Sequence, residues 1–544
     1  MEWGLGWDRR SPIGYDKKMN LKLWLGTVAA SAIFFSGCKQ GLSPQPSGNA
    51  EKSVLLIVID TLRADYLSSY GSRIVNSPHI DRLAAEGIRF ENAFSHIPIT
   101  GPAHTALFTA EYPSDAGVRN NGQVLAASHT CLAETMLASG RTTAGFVSLG
   151  VLEAQFGFDQ GFQKYRDDLG IKWHADAREI NTKVFEWLNE EPPSPFFAFV
   201  HYCDPHEPYF AHGTRQSILE AKRGEDNLGT IDIAEESLLS LNLEVPAGNM
   251  EIALACEREF RFRAATLEPE GAGVRYQTSR GWRKDENGFP VASEGTILLR
   301  NESERIRSIT LNLYLTEILT LEEILESYVA EVEFVDRAIG ELLDTFRERG
   351  MLENTLLLLT SDHGEGLGEH GETGHIEQLY DSMVRIPLIL HSPRDFPQGV
   401  VVRDPVSLVD LFPTICDTLS LPMTPDVPGR SLLPLLDGDD ATREKYVYLE
   451  TYAPEAPMDL IGLRTGKWKY IRTPKTGKEE LYRVVEDPKE LNDLVDSSTD
   501  EVHSFRALLG RLGRLSETGD ASDPSHPVLD EETLQKLKSL GYVH

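Results

Sequence analysis

Three short apolar runs, each stopping at acidic or imidazole residues, constrain this chain more than anything else in it. "SVLLIVID" carries the continuous run Val54–Ile59 and ends at Asp60. "PFFAFVHYCDPHEPY" (195–209) ends in a polar turn with Asp204 and His206. "TLLLLTSDHG" carries Leu356–Leu359 and delivers Asp362 and His363 just past it. A short run that is apolar at every residue fits a strand buried on both faces, as in a parallel sheet. In open sheets of that kind, ligands bind at the C-terminal strand ends, where these polar residues fall. Between the runs, "HIDRLAAEGIRFENAFS" reads as a helix stopped at Gly87 and then a short strand. "LEEILESYVAEVEFVDRAIGELLDTFRERG" (321–350) has apolar residues at helical spacing and closes on Gly350. Strands alternating with helices predict an α/β fold with a mainly parallel sheet flanked by helices.

Residues 214–318 break this rhythm. "SLLSLNLEVPAG", "EFRFRAATLEP" and "GTILLRNESERIRSITLNLYL" alternate apolar and polar positions between Gly/Pro turns. That is antiparallel texture, and it predicts an inserted β-rich module: a small sandwich, or else an irregular excursion over the mouth of the site. The host domain is then discontinuous, 53–213 and 319–440, with a smaller C-terminal subdomain and tail over 441–544. At the other end, "KKMNLKLWLGTVAASAIFFSGCKQ" has a basic start, an apolar run too short for a comfortable membrane span, and Ser-Gly before Cys38. We read 19–38 as an export signal that resembles a bacterial lipobox, with Cys38 as the lipidated residue and Met19 as a candidate start. Phe35 departs from the aliphatic residue usual in such a box. Residues 39–52 read as a flexible tether. The expected location is the bacterial cell envelope, with the membrane met only through a lipid anchor.

A hydrophobic fraction of 41% and a charged fraction of 25% are ordinary for a globular protein, and 544 residues suffice for two or three domains. A net charge of −31 disfavours nucleic acid as a partner. The five cysteines are scattered without a CxxC pair, so neither a zinc ribbon nor a disulfide scaffold is indicated.

The strand-end residues suggest a metal site. Asp60, Asp362 and His363 could ligate one divalent cation, which two neighbouring carboxylates need to offset their repulsion. A hydroxyl from Thr100, in "SHIPITGPAHTALFTA" (95–110), could complete the shell and be acidified there. Any one of these Asp residues alone reads more simply as a cap or turn former. Glycines at 364, 366, 368, 371 and 374 indicate a tight loop close to a ligand.

Taken together, "VIDTLRADYLSSYG", "DPHEPY", "NTLLLLTSDHGEGLGEHGETGH", "LYDSMVRIPLIL" and "EELYRVVEDP" resemble the sulfatase family of the alkaline phosphatase superfamily, over about 50–213 and 320–490. The resemblance implies a hydrolase of anionic esters with one divalent metal ion (Ca, Mn or Zn). It places Asp60, Asp362 and His363 at metal-ligand positions and Thr100 at the nucleophile position. It assigns His206 to substrate contact or leaving-group protonation, and Asn121 (with Asn120 as the close alternative) to the substrate oxyanion. His104 and His375 fall where relatives carry a substrate-binding arginine and lysine. Arg63 and Arg385 match recurring arginines, for which structural ion pairing is the simpler role.

Four positions depart from the family pattern. Thr61 replaces a second acidic residue, His104 and His375 replace Arg and Lys, and Thr100 replaces the Cys or Ser that is oxidised to formylglycine. Threonine cannot give that aldehyde, because its β-carbon carries a methyl group, so no formylglycine is expected. A threonine ester also lacks the second hydroxyl that expels sulfate from a formylglycine hydrate, so water must resolve it at sulfur or phosphorus. That moves the expectation toward phosphate diesters, monoesters or phosphonates without removing sulfate. The added imidazoles also suit zinc or manganese better than calcium and admit a second metal. The expected partner is a small-molecule or glycan ester. The alternatives are a phosphodiesterase or phosphonate monoester hydrolase rather than a true sulfatase, a catalytically inactive binding lipoprotein, and transfer of the group to another alcohol.

Overall fold

The first apolar run forms β1 (Ser53–Ile59), every residue of it buried. It is followed by β2 (Ile88–Phe94), β3 (Thr142–Phe146), β4 (Lys164–Arg166) and β5 (Phe196–Tyr202). The long excursion then supplies β6 (Ile218–Arg223), β7 (Asp226–Asp232), β8 (Leu238–Val245), β9 (Gly248–Glu268), β10 (Val274–Thr278), β11 (Arg283–Lys284), β12 (Pro290–Asn301) and β13 (Arg307–Glu317). After it come β14 (Thr355–Ser361), the short pair β15 (Gly366–Leu367) and β16 (Thr373–Gly374), β17 (Arg385–His391), β18 (Val400–Val402) and β19 (Val406–Ser407). The last strands are β20 (Tyr446–Thr451), β21 (Leu460–Thr465), β22 (Lys469–Arg472) and β23 (Glu479–Tyr482). The helices are α1 (Pro78–Glu86), α2 (Thr100–Thr109), α3 (Leu132–Ala138), α4 (Ala177–Asn189), α5 (Leu321–Glu348), α6 (Asp381–Val384), α7 (Leu411–Thr418) and α8 (Thr499–Arg511). This computed structural model describes residues 51–515 except 171–172, 191–194, 211, 213–215, 235–237, 270–272, 285–288, 424–425, 437, 439–444 and 453–458. The signal segment with Cys38, the tether up to residue 50 and the tail from 516 lie outside the described residues.

The central sheet runs β18-β2-β17-β14-β1-β5-β3-β4, with β19 also on β2. From β14 to β4 it is parallel; β17 is antiparallel to both β14 and β2. Helices α1, α5 and α4 pack in succession, as do α3, α2 and α7. Together they cover the sheet, which is why its middle strands can be apolar at every position. Helix α5 shows how local sequence sets its frame. Thr320 and Glu323 form a reciprocal capping box at its start. The buried residues Tyr328, Val332, Val335, Ile339, Leu342 and Phe346 recur at steps of three and four, giving one apolar stripe. The stop after α1 is steric, since a Cβ on Gly87 would lie 2.4 Å from the Leu390 carbonyl oxygen of β17.

The register decides where the site forms. Ile59 is level with Ser361 on one side and Tyr202 on the other. Asp60, Asp362 and the turn after β5 therefore leave the sheet side by side.

The excursion is one eight-stranded antiparallel sheet around its own apolar cluster, including Leu241, Ile252, Phe260, Ile297 and Leu311. It differs from a two-sheet sandwich because β9 is shared. Its first half pairs with β6 and β12, and its second half with β13, so the hydrogen bonding is continuous through one long strand. Strands β20 to β23 form a separate antiparallel sheet, and α8 packs on it through Val502, Phe505 and Leu509. The four described cysteines are free, with Cys131 and Cys416 buried.

Candidate active site

Each site group comes from a strand end or the first turn after one. Asp60 leaves β1 wholly buried, its main-chain N–H donating to the Tyr202 carbonyl at 2.8 Å. Thr61 has a left-handed backbone (φ 55°), unusual for a β-branched residue. Two hydrogen bonds hold it there. Its N–H donates to Asp362 Oδ1 at 3.2 Å, and its carbonyl accepts from the Tyr328 hydroxyl at 2.8 Å. Asp362 Oδ1 also accepts the His363 N–H at 2.8 Å. Its Oδ2 and the Oδ1 of Asp60 are buried with no hydrogen-bond partner among the described residues.

His363 Nδ1 lies 2.9 Å from the Gly364 carbonyl, to which it donates, leaving the lone pair on Nε2. That nitrogen is 3.3 Å from Thr100 Oγ1, 3.5 Å from Asp362 Oδ2 and 3.7 Å from Asp60 Oδ1. Thr100 Oγ1 is in turn 3.5 Å from Asp60 Oδ2. The turn is gripped from α6. Gly364 N–H donates to the Met383 carbonyl at 2.7 Å and Glu365 N–H to that of Ser382 at 3.0 Å. A Cβ on Gly364 would stand 2.0 Å from the Ser382 oxygen, so glycine is required there.

Thr100 opens α2, with Ile99 as its cap residue. Its hydroxyl therefore sits at the positive end of a helix, where an anionic group is favoured. Pro102 in the first turn gives up an N–H that has no partner within the helix. Gly101 N–H donates to Asn121 Oδ1 at 2.8 Å, which leaves the buried Nδ2 of Asn121 without a partner among the described residues. Asn120 lies instead against the carbonyls of Arg119 and Tyr452. Of the two asparagines, Asn121 is the one beside the nucleophile turn.

Burial first, and then the Asp362 carboxylate, push Asp60 up to about 7. Two carboxylates cannot both stay charged in so dry a place without a cation. Asp60, Asp362 and His363 each offer a ligand atom, all within 4.8 Å of one another. With the orphaned carboxylate oxygens and the Thr100 hydroxyl beside them, these residues fit a divalent cation.

His206 and His375 stand on the outer side. The rings of His206 and His375 are 5.0 Å apart, and those of His375 and His363 4.6 Å. His206 is 7% exposed while Thr100, Asp60 and His363 are at 0%. Burial holds the His206 imidazole below its usual range and pushes His375 down to about 4.

Some residues take other places. His104 is wholly buried beneath Thr100, its Nδ1 donating to the Thr100 carbonyl at 2.8 Å, and its ring meets Phe108 and Phe199 edge-on. Asp204 does not join Asp60 and Asp362. It is buried facing Asp176 at the start of α4, near the Ala177 N–H, and burial lifts it to about 7. Arg63 pairs with Asp65 (2.8 Å) and Glu369 (2.9 Å) and donates to the Glu365 carbonyl, so it braces the metal loop. Arg385 donates to the Glu91 carbonyl at 3.0 Å.

Two residues escaped sequence reasoning. His201 ends wholly buried with Nε2 3.5 Å from Asp60 Oδ2 and Nδ1 2.8 Å from Ser148 Oγ. Its signal was faint, a single imidazole inside the apolar run "FFAFVHY". Glu365 is fully buried with Oε1 3.3 Å from His375 Nδ1, and burial lifts it to about 7. Its signal was an acidic residue inside the glycine-rich loop.

Comparison with known proteins gives the family and the fold. The sulfatase family model matches residues 52–421, and the model for the C-terminal region of N-sulphoglucosamine sulphohydrolase matches 368–516. The chain is similar to N-acetylglucosamine-6-O-sulfatase of Bacteroides thetaiotaomicron, 22% identical over 85% of this chain and 86% of that protein. It is similar to choline-sulfatase of Rhizobium meliloti, 24% identical over 82% of each. Among solved structures, one in complex with its substrate D-glucosamine-2-N,6-O-disulfate superposes with a TM-score of 0.61 at 19% identity, over 86% of this chain and 99% of that one. The phosphonate monoester hydrolase of Agrobacterium radiobacter does so at 0.60 and 20% identity, over 85% and 95%.

Proposed function

Because the chain belongs to the sulfatase family of ester hydrolases, we propose that it cleaves anionic esters with Thr100 as nucleophile, and that its substrates are phosphate or phosphonate esters. The observation that carries this reading is the Thr100 hydroxyl at the N-terminus of α2, 3.3 Å from His363 Nε2 and 3.5 Å from Asp60 Oδ2. Asp60, Asp362 and His363 would hold a divalent cation, which would lower the pKa of the Thr100 hydroxyl and offset the ester's charge. Thr100 Oγ forms a bond to phosphorus as the ester oxygen leaves. The proton given up by the Thr100 hydroxyl is relayed through His206 or His375 to that oxygen, so neither imidazole needs to begin charged. Asn121 Nδ2 and the helix terminus support the anion. Water then attacks phosphorus and releases Thr100, because the threonine β-carbon carries no second hydroxyl to expel the group by elimination.

Sulfate esters are the second reading, favoured by curated relatives that are sulfatases. The test is a parallel assay of aryl phosphate diesters, aryl phosphonates and aryl sulfates with added Mn, Zn or Ca, on wild type and Thr100→Ala. Phosphorus esters should turn over fastest, with Thr100→Ala inactive on all. Preferential sulfate turnover would select the second reading, and activity surviving the substitution would remove Thr100 as nucleophile.

We also propose attachment to the cell envelope through Cys38. The supports are the signal-like segment and the tether that follows it. Among the described residues no helix is long and apolar enough to cross a membrane. Radiolabelled palmitate should enter the wild type in cells and not Cys38→Ala.

A further inference from the structure

A second cluster of ligand-type side chains lies behind Thr100. His104, His201 and Asp362 are all buried to within 1% exposure, and each offers a nitrogen or oxygen within 4.8 Å of the others. The two imidazole rings are 5.0 Å apart. His104 comes from α2, one turn beyond Thr100, and His201 from β5, level with Val58 of β1. Rigid elements therefore supply both.

The outer partners of these rings are those a metal-bound imidazole needs. The Nδ1 of His104 faces the Thr100 carbonyl at 2.8 Å, and that of His201 faces Ser148 Oγ at 2.8 Å. Each can hold its N–H on Nδ1 and turn a lone pair out at Nε2. Both Nε2 atoms and Asp362 Oδ2 are buried without a hydrogen-bond partner among the described residues; His201 Nε2 lies 3.5 Å from Asp60 Oδ2, and His104 approaches Asp362 Oδ2 through Nδ1 at 3.7 Å. Two orphaned imidazole nitrogens in one dry place are costly unless something binds them.

We infer that the protein holds a second divalent ion at His104, His201 and Asp362, with Asp362 shared between the two centres. Two imidazoles and one carboxylate favour a borderline transition metal such as zinc over calcium, whereas the first group has two carboxylates and one imidazole. Two divalent ions over Asp60 and Asp362 leave an excess of positive charge, suited to an anionic ester. The inference rests on the proposed function only in assigning the first ion to Asp60, Asp362 and His363.

The test is stoichiometry. Full-length protein is stripped with chelator, reloaded with Zn2+, passed through gel filtration and its zinc measured by mass spectrometry. Wild type should retain two ions per chain. His104→Ala and His201→Ala should retain one each while keeping a cooperative thermal transition. A wild type that saturates at one ion, or variants that still hold two, would overturn the inference. If neither variant folds, Co2+ titration of the wild type decides: two spectral steps support the second centre and one removes it. Aryl ester turnover is measured on the same sample. One ion with turnover ends this inference and leaves the hydrolase reading standing, whereas two ions without turnover do the reverse.

Discussion

Thr100 is where sequence and structure bear most directly on one another. The sequence marks it by position, two residues before Pro102; the structure gives that position a chemistry, by setting its oxygen against His363 and Asp60. Thr100→Ala should lower kcat by about 10⁴-fold or more, while Thr100→Ser keeps measurable turnover; steady-state kinetics on the best aryl ester checks both. Asn121→Ala removes the donor beside Gly101 and should cost about 10²- to 10³-fold in kcat. An effect confined to KM would mean that Asn121 binds ground state and transition state alike. Asp60, Thr100, Asp362 and His363 were legible because a strand end or helix start fixes each within one residue of a readable boundary. His201 was not, because a histidine within an apolar run reads the same whether it is a satisfied core residue or a ligand. Its role depends on β5 lying beside β1, a long-range fact. Glu365 was hidden for a similar reason, since its partner His375 is brought to it by the folding of the glycine-rich loop.

At the scale of elements, the alternation of strands and helices was legible because each apolar run had the length and flanks of one element. What was not legible was how elements hold the site from behind. The four-residue α6 carries no strong sequence signal, yet its carbonyls fix Gly364 and Glu365. Gly364→Ala would drive a Cβ into the Ser382 carbonyl, a fixed main-chain atom. It should cost about 1–3 kcal/mol or more, lowering the thermal midpoint, and weaken metal retention by moving His363. Unchanged melting and metal content would show that α6 yields easily. The excursion announced its antiparallel texture in the sequence, but neither the 21-residue length of β9 nor its target. Arg263 on β9 is ion-paired with Glu207, and Arg261 stands 3.9 Å from the same carboxylate. Glu207 follows His206, whose Nδ1 bonds the Glu207 carbonyl. The insert thus steadies the outer histidine. Arg263→Ala should reduce kcat between about 10- and 100-fold with the metal content intact. A change in thermal stability alone would confine Arg263 to a packing role.

At the scale of the molecule, the C-terminal sheet and the central sheet meet at Asp381 of α6. Arg464 from β21 lies 2.9 Å from its Oδ2 and Lys469 from β22 lies 2.6 Å from its Oδ1. Lys469 is wholly buried and also reaches Glu490 at 3.3 Å. Since α6 grips the metal loop, the C-terminal subdomain takes part in holding the site, although among the described residues it supplies none of the candidate ligands. "EELYRVVEDP" pointed to the subdomain in the sequence but gave no sign of this contact, which exists only once folding brings β21 and β22 against α6. Asp381→Asn leaves two buried cations short of their shared partner and should destabilise by about 3–5 kcal/mol near neutral pH. Burial alone would lift the Asp381 carboxyl, but Arg464 and Lys469 outweigh it and hold the group well below the usual carboxylate range. A depressed folded value means that the unfolded chain binds the proton more readily. The stabilisation is therefore complete above the ordinary aspartate pKa of about 3.9 and drains away as pH falls toward the folded value. Urea unfolding of wild type and Asp381→Asn should show a gap that narrows steadily below about pH 4. A gap that persists undiminished through that acid range would mean that the pair contributes by shape rather than charge, and that the two sheets are joined by packing alone.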